Sequence, residues 1–349
     1  MSADPFCMSS CLAFRYVADP QAEWAPNVKP SWPHISGGAL VPVGDTAGVI
    51  AALRHSIDAF CANARVGLLL SSGIDSAILA SLLPKGTPAF TIRFLADGAV
   101  DESPAAARYA AACGLEHQVI DVSWDDCVDV VDDLMTRKKS ILHAVEPALF
   151  KVSAAAAHTG LRVLALGNGA DSTFGGLDKL LSRDWTFAEF MHRYTFVEPA
   201  SVLREPVTVE RVYAPYRRGD DVDTIGFLKT VHGLGVVQAF ENAVTAAGCS
   251  TFQPYEQLVL DAPLDIARIR RGESKYILRE VFAALYPRLD APEKIPFSRP
   301  LDCWLAGWSG PRRAEFRPDL EIGRFTGDQK WLIFCLERFL NLLDGGSLS

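Results

Sequence analysis

The residues best equipped for chemistry sit in two short turns. In the first, the apolar run VGLLL at 66–70 stops at Ser71, Ser72 and Gly73, and Asp75 and Ser76 follow. In the second, the run RVLAL at 162–166 leads into Gly167, Asn168, Gly169, Ala170, Asp171 and Ser172. Serine hydroxyls and backbone N–H groups donate hydrogen bonds without bulk, and glycine lets a ligand approach the chain closely. A strand, a tight Ser/Gly turn and a helix N-terminus together make a cradle for an anion, because N–H groups and the positive end of the helix dipole converge there. From the first stretch alone an ordinary strand-to-helix turn that binds nothing stays equally open.

The elements around these turns are readable from period and punctuation. "DTAGVIAALRHSIDAFCANA" reads as an amphipathic helix with Asp45 or Thr46 as N-cap, and it feeds a strand at 66–70. Ile74 to Leu83 read as a helix, "AFTIRFL" as a strand, and "DESPAAARYAAACG" as a helix that Gly114 caps. "HQVIDVS" is a strand, 124–138 and 147–158 are helices, and "RVLALGNG" is a buried strand. This alternation implies an α/β fold with a doubly wound parallel sheet, in which ligands sit beyond the carboxyl ends of the strands. Both turns fall at that edge. Residues 1–45 read as irregular, with one strand at "CLAFRYV", and 179–222 as an irregular, basic and aromatic insert. The remainder is mostly helical, and the last helix, "DQKWLIFCLERFLNLL", is apolar round most of its circumference and so buried.

The bulk composition excludes several classes. The chain has 349 residues, 49% hydrophobic and 22% charged, with a formal net charge of −8 and a mean hydropathy of +0.12. An acidic chain lacks the basic footprint of a nucleic-acid or anionic-membrane binder, although "RIRR" at 268–271 is locally basic. Eight cysteines are scattered without a CxxC pair or a zinc-module spacing, as in a reducing cytoplasm. No apolar run approaches the ~20 residues of a membrane span, and the N-terminus lacks a signal-peptide pattern, so a cytoplasmic location is expected.

Four ordered segments carry a resemblance. Segment 66–76 resembles the Ser-Gly-Gly-x-Asp-Ser pyrophosphate loop of the ATP-pyrophosphatase superfamily. "DESPAAARYAAACGLEH" (101–117), "LALGNGADSTFGGL" (164–177) and "SKYILREVFAALYPRLDAPEKIPFSRPLDCWL" (274–305) resemble, in order, segments of the synthetase domain of asparagine synthetase and its relative β-lactam synthetase. The resemblance covers roughly 45–310 and implies a fold of the ATP-pyrophosphatase (adenine nucleotide α-hydrolase-like) type with additional C-terminal helices. The implied domains are an N-terminal extension, 1–45, and a synthetase domain, 46–345.

The resemblance also implies a chemistry: a substrate carboxylate attacks the α-phosphate of ATP, and ammonia or an amine then displaces AMP to leave an amide. Ser71, Ser72, Gly73 and Ser76 match the pyrophosphate cradle. Asp75 and Asp171 match two carboxylates that hold Mg²⁺, which takes only one or two protein carboxylates and completes its shell with phosphate and water. Lys294 matches a catalytic lysine at the α-phosphate, and Lys275 either reaches phosphate or makes a surface ion pair. Backbone around Leu70, Phe94 and Gly167 matches the adenosine site, with Gly169 in the same nucleotide-binding turn. Glu102 either serves the metal and phosphate or caps its helix.

Three departures bear on function. The loop has Ser72 where a second glycine is usual, which restricts the backbone but adds a hydroxyl donor. Asn168 stands where the family carries the residue that deprotonates the incoming nitrogen, and Asn has no useful pKa; Glu256, Tyr255 and His117 are the substitutes on offer. Ser172 replaces a second acidic residue. About 45 residues are too few for a glutaminase domain, so nitrogen is expected from free ammonia, a separate glutaminase or an amine-bearing substrate. The expectation is an ATP-dependent, AMP-forming ligase acting on a carboxylate-bearing small molecule or peptide. A catalytically weakened nucleotide-binding scaffold or regulatory subunit is the alternative, and sulfur transfer to tRNA lacks the cysteine spacing it needs. A homo-oligomer stays open.

Overall fold

The computed structural model describes residues 3–32, 39–292 and 299–348. Its strands are β1 (Val41–Val43), β2 (Val66–Leu69), β3 (Pro88–Phe94), β4 (Glu116–Val122), β5 (Val163–Ala165), β6 (Arg217–Arg218), β7 (Asp221–Val222), β8 (Ser250–Phe252) and β9 (Leu258–Leu260). Helices α1 (Pro5–Phe14), α2 (Thr46–Cys61), α3 (Ile74–Leu82), α4 (Ser103–Cys113), α5 (Trp124–Val128), α6 (Val131–Lys138), α7 (Glu146–His158) and α8 (Ala170–Thr173) precede a largely helical remainder.

A five-stranded sheet forms the centre, in the order β4-β3-β2-β5-β8. Its strands are all parallel, with Leu68 opposite Ala89 on one side and Ala165 on the other. Side chains alternate between two cores. Phe90, Ile92 and Phe94 of β3 face one layer with Leu149 and Val152 of α7. Ala89 of β3 joins Val49 and Leu53 of α2, Ile78 and Leu79 of α3, and Val281 and Phe282 of the helix Tyr276–Leu285 in the other. Burial on both faces is why the strands read as continuous apolar runs rather than as alternation. The expected α/β fold with a parallel sheet and added C-terminal helices is the one observed. β1 and β9 pair in parallel, and β6 and β7 form a small antiparallel hairpin.

Helix boundaries follow the expected caps. The Asp45 side chain accepts from Gly48 N at 2.7 Å and starts α2, and Gly114, with φ of 68°, closes α4. The helix expected over 124–138 is two, α5 and α6. Within 179–222 the structure has short helices and the β6–β7 hairpin rather than irregular chain.

The strand expected at "CLAFRYV" is instead the end of α1. The Asp4 side chain accepts from the N–H groups of Phe6 and Cys7, and Pro5 opens the first turn. Nearly all of the helix is buried, so no amphipathic period marks it. It packs in a third core with the buried last helix, Gly327–Asp344, where Cys11, Leu12, Trp24, Trp331 and Phe339 meet Phe190 and Tyr213 of the insert and Phe227 just beyond it. Cys7 and Cys11 are therefore buried thiols.

Candidate active site

The two sequence turns lie side by side at the carboxyl ends of β2 and β5. A Cβ on Gly167 would stand 3.1 Å from the Asp75 Cβ and 3.2 Å from the Ser76 nitrogen, so glycine there lets the turns touch. The cradle is tied together from within. Ser71 N donates to Ser76 Oγ at 3.0 Å, the Ser71 and Ser76 hydroxyls are 2.9 Å apart, and Gly73 N donates to Ser71 Oγ at 3.2 Å. The Ser72 hydroxyl is not a free donor for a phosphate: both Ser72 N and Ser72 Oγ donate to Glu102 Oε2, at 3.0 and 2.8 Å. Glu102 makes no cap hydrogen bond to α4. It braces the loop, a role outside the two weighed from sequence.

Below the cradle, Asp75 and Asp171 converge on one cation. Lys275 Nζ lies 2.5 Å from Asp75 Oδ2 and 2.9 Å from Asp171 Oδ1. Lys275 is 7% exposed, so the surface ion pair considered from sequence is excluded. Burial disfavours its charge, but the two carboxylates outweigh burial and hold its pKa above the ordinary lysine value. Lys275 precedes its helix in the left-handed conformation (φ 53°), a strain that non-glycine residues accept where surrounding structure fixes them. Gly176 makes room: a Cβ there would lie 1.9 Å from Asp171 Oδ1 and 2.2 Å from Lys275 Cε. The Tyr255 hydroxyl donates to the Asp75 carbonyl at 2.9 Å. Burial, reinforced by the Asp75 charge, raises that phenol well above its ordinary pKa, so Tyr255 is a donor and not a base.

A buried ammonium gripped by two carboxylates marks the place a cation occupies. That donor set suits Mg²⁺, which uses one or two carboxylates and takes its remaining ligands from phosphate and water. Among the described residues no group of three or more His, Cys, Asp or Glu side chains could hold a metal. A metal held by Asp75 and Asp171 would take its remaining ligands from outside the protein.

The other side of the second turn is looser. Asn168 Nδ2 donates to Gln253 Oε1, and Asn168 Oδ1 is buried without a hydrogen-bond partner among the described residues. Gly169 has φ of 89°, and a Cβ there would meet Glu256 Cδ at 2.9 Å. Glu256 Oε1 is likewise buried and has no hydrogen-bond partner among the described residues, and burial raises the carboxyl pKa. Glu256 also lines a cavity of about 550 Å³, walled by Phe60, Leu234 and Phe252 with Gln253 beside them. Of the three substitutes named for Asn168, Glu256 alone lies against this turn with a free oxygen. His117 is bonded instead to Thr91 Oγ1 at 2.8 Å, and Thr91 Oγ1 donates to the Leu70 carbonyl at 2.7 Å.

Other expected residues fall as follows. Leu70 N already donates to the Phe90 carbonyl at 2.8 Å, and the Phe94 ring stacks edge-on against Trp304. Ser172 Oγ donates to the Gly169 carbonyl at 3.0 Å. Lys294 lies outside the described residues. Gln253 and Gly176 were not singled out from sequence; Gly176 had a signal in the Phe-Gly-Gly of the second turn, whereas Gln253 had none.

No helix among the described residues is long and apolar enough to cross a membrane, and all eight cysteines are free thiols. No curated protein matches the chain. Among solved structures, the NMN synthetase from Francisella tularensis is similar at 15% identity and a TM-score of 0.28, over 74% of this chain and 99% of that one. A likeness of that size carries no argument. A family model for asparagine synthase matches residues 48–225, just over half of the chain and including both turns. The chain belongs to the asparagine synthase family.

Proposed function

We propose that the protein is an ATP-dependent, AMP-forming ligase that turns a substrate carboxylate into an amide. The family is one of ATP-dependent amidating synthetases, and the observation that carries the finer reading is the convergence of Asp75 and Asp171 on one buried cationic centre beneath the Ser71–Ser76 cradle. In the first step a carboxylate oxygen of the acid attacks the α-phosphorus of ATP, and the bond to the β-phosphate bridging oxygen breaks to release pyrophosphate. The cradle hydroxyls and N–H groups hold the departing pyrophosphate. Asp75 and Asp171 would hold Mg²⁺, which neutralises phosphate charge when bound. Lys275, and Lys294 by its place in the family pattern, supply further positive charge.

In the second step ammonia or an amine attacks the activated carbonyl carbon, the acyl–oxygen bond to AMP breaks, and the nitrogen gives up a proton. Glu256 is the base. Its carboxylate has an oxygen with no hydrogen-bond partner among the described residues, a pKa raised by burial, and a position against Gly169. Asn168 and Gln253 orient the nitrogen beside it. The cavity next to Glu256 admits a nucleophile larger than ammonia.

The test is pyrophosphate release from Mg²⁺·ATP with a panel of carboxylates, with and without ammonia and primary amines. Carboxylate-dependent release that Asp75→Ala abolishes supports the ligase. Nucleotide binding by calorimetry with no turnover across the panel would replace it with the nucleotide-binding scaffold, a reading that the occupied Ser72 donors favour.

A further inference from the structure

The walls of the 550 Å³ cavity beside Glu256 say what would fill it. A molecule the size of water takes up about 30 Å³, so ammonia would leave most of the space empty. Phe60 of α2 stacks on Phe252 of β8 with ring centroids 3.9 Å apart and an interplanar angle of 23°. Leu234 and Val237 come from the helix Gly233–Ala246. Leu40, Val41 and Phe60 line the same cavity and are 53%, 43% and 37% exposed. Apolar side chains left open around a concave site mark where an apolar group is received. Ser56 Oγ of α2 donates to Gln257 Oε1 at 2.7 Å, which fixes the helix of Phe60 against the short turn Pro254–Gln257 that carries Glu256.

The polar end of the cavity is shared with the second turn, because Gln253 and Glu256 line the one and touch the other. Gln253 Nε2 donates to Thr251 Oγ1 at 3.0 Å, which turns Gln253 Oε1 toward Asn168 Nδ2 and leaves Asn168 Oδ1 as an acceptor. Glu256 Oε1 lies 2.9 Å from where a Cβ on the next residue, Gly169, would stand. Two buried acceptors therefore meet at one turn, neither with a hydrogen-bond partner among the described residues. A buried acceptor without a donor is costly. A neutral primary amine carries two N–H groups, one for each oxygen, and keeps its lone pair for an acyl carbon. A hydroxyl group carries only one donor.

We propose that this cavity receives the side chain of the nucleophile, and that the nucleophile is a primary amine with an aromatic or branched apolar body rather than ammonia. Its two N–H groups donate to Asn168 Oδ1 and Glu256 Oε1 while its body packs against Phe60 and Leu234. As the nitrogen lone pair forms the C–N bond, the acyl–oxygen bond breaks and its electron pair leaves with AMP. One N–H proton passes to Glu256, and the product is an N-substituted amide. This names a substrate class for the ligase reading and rests on that reading for the reaction, while binding of the amine is measured apart from it.

The probe is phenethylamine, titrated by calorimetry at constant pH and ionic strength into the full chain. Methylamine, which lacks the body, and phenethyl alcohol, which lacks the amine, are titrated beside it. Phenethylamine should saturate one site, and both controls should bind at least about tenfold more weakly. Phe60→Ala should weaken phenethylamine about tenfold and leave methylamine unchanged, and Glu256→Gln should narrow the gap between phenethylamine and phenethyl alcohol. All variants should bind a non-hydrolysable ATP analogue with Mg²⁺ as the native chain does, which controls for folding; Leu234→Ala, on another wall, serves if Phe60→Ala does not fold. In turnover, Phe60→Ala should raise the KM for phenethylamine about tenfold with the ammonia-dependent rate unchanged. No saturable phenethylamine, phenethyl alcohol bound as tightly, or native binding by Phe60→Ala overturns the inference. The two readings separate: phenethylamine bound with no pyrophosphate released from any carboxylate leaves an amine site and removes the ligase, and ammonia-dependent turnover without phenethylamine binding removes only the amine pocket.

Discussion

On the phosphate side of the site, polar groups are knitted to one another: Ser71 to Ser76, Ser72 to Glu102, Lys275 to both Asp75 and Asp171. On the nitrogen side, Asn168 Oδ1 and Glu256 Oε1 are buried with no hydrogen-bond partner among the described residues. The first region is finished and rigid before any ligand arrives, which suits a cradle that must be preorganised for a fixed group, the triphosphate. The second is left incomplete, which suits a place where a variable nucleophile supplies the missing hydrogen bonds. Preorganisation and vacancy divide the two half-reactions between them.

The contrast can be broken at its strongest point first. Asp171→Asn removes one of the two carboxylates around the cationic centre, and carboxylate-dependent pyrophosphate release should fall by at least about a hundredfold; retention of half the native rate would mean the centre is only structural. Glu256→Gln should leave pyrophosphate–ATP exchange near native while slowing amide formation by about 10²–10⁴. Equal losses in both steps would show that the two sides are not separable. The pH profile sharpens this. A carboxyl with a raised pKa stays protonated to higher pH than its exposed counterparts, so it becomes a base only above that pKa. Amide formation should therefore rise with pH through a value above the ordinary carboxylate range of about 4.3, and Glu256→Gln should flatten that limb while exchange keeps its own profile.

Gly169→Ala strains both regions at their shared turn. Its backbone sits at φ 89° and its new Cβ would press on Glu256, so thermal unfolding should show a loss of about 1–2 kcal/mol, with amide formation hurt more than exchange. Tyr255→Phe is the mildest. It deletes the donor to the Asp75 carbonyl and should cost about 1 kcal/mol in denaturant unfolding, with a rate change of only a few fold.

Legibility follows the same line. That Ser71, Ser76, Asp75 and Asp171 meet at one place was readable because each lies in a strand-to-helix turn, and the parallel sheet puts both turns at one edge. Lys275 could be named but not placed, because whether a lysine is solvated or gripped by carboxylates depends on a helix far along the chain. Gln253 was invisible. Gln253 meets Asn168 only through the pairing of β5 with β8. α1 was misread for a different reason, since a helix buried all round has no period to betray it. Glu102 shows that even a local motif can mislead: before a helix it reads either as a cap or as a metal and phosphate group, yet its oxygen lies on the serine loop.

The meeting of α1 with the last helix sets an order of events during synthesis. Trp24 packs on Phe339 with ring centroids 4.5 Å apart, so the first helix leaves the ribosome long before the surface that buries it exists. The central sheet can close while the chain is still being made, whereas Leu12, Trp24 and their neighbours stay exposed until the last helix is released. That interval is one in which a nascent chain is prone to association and to chaperone capture.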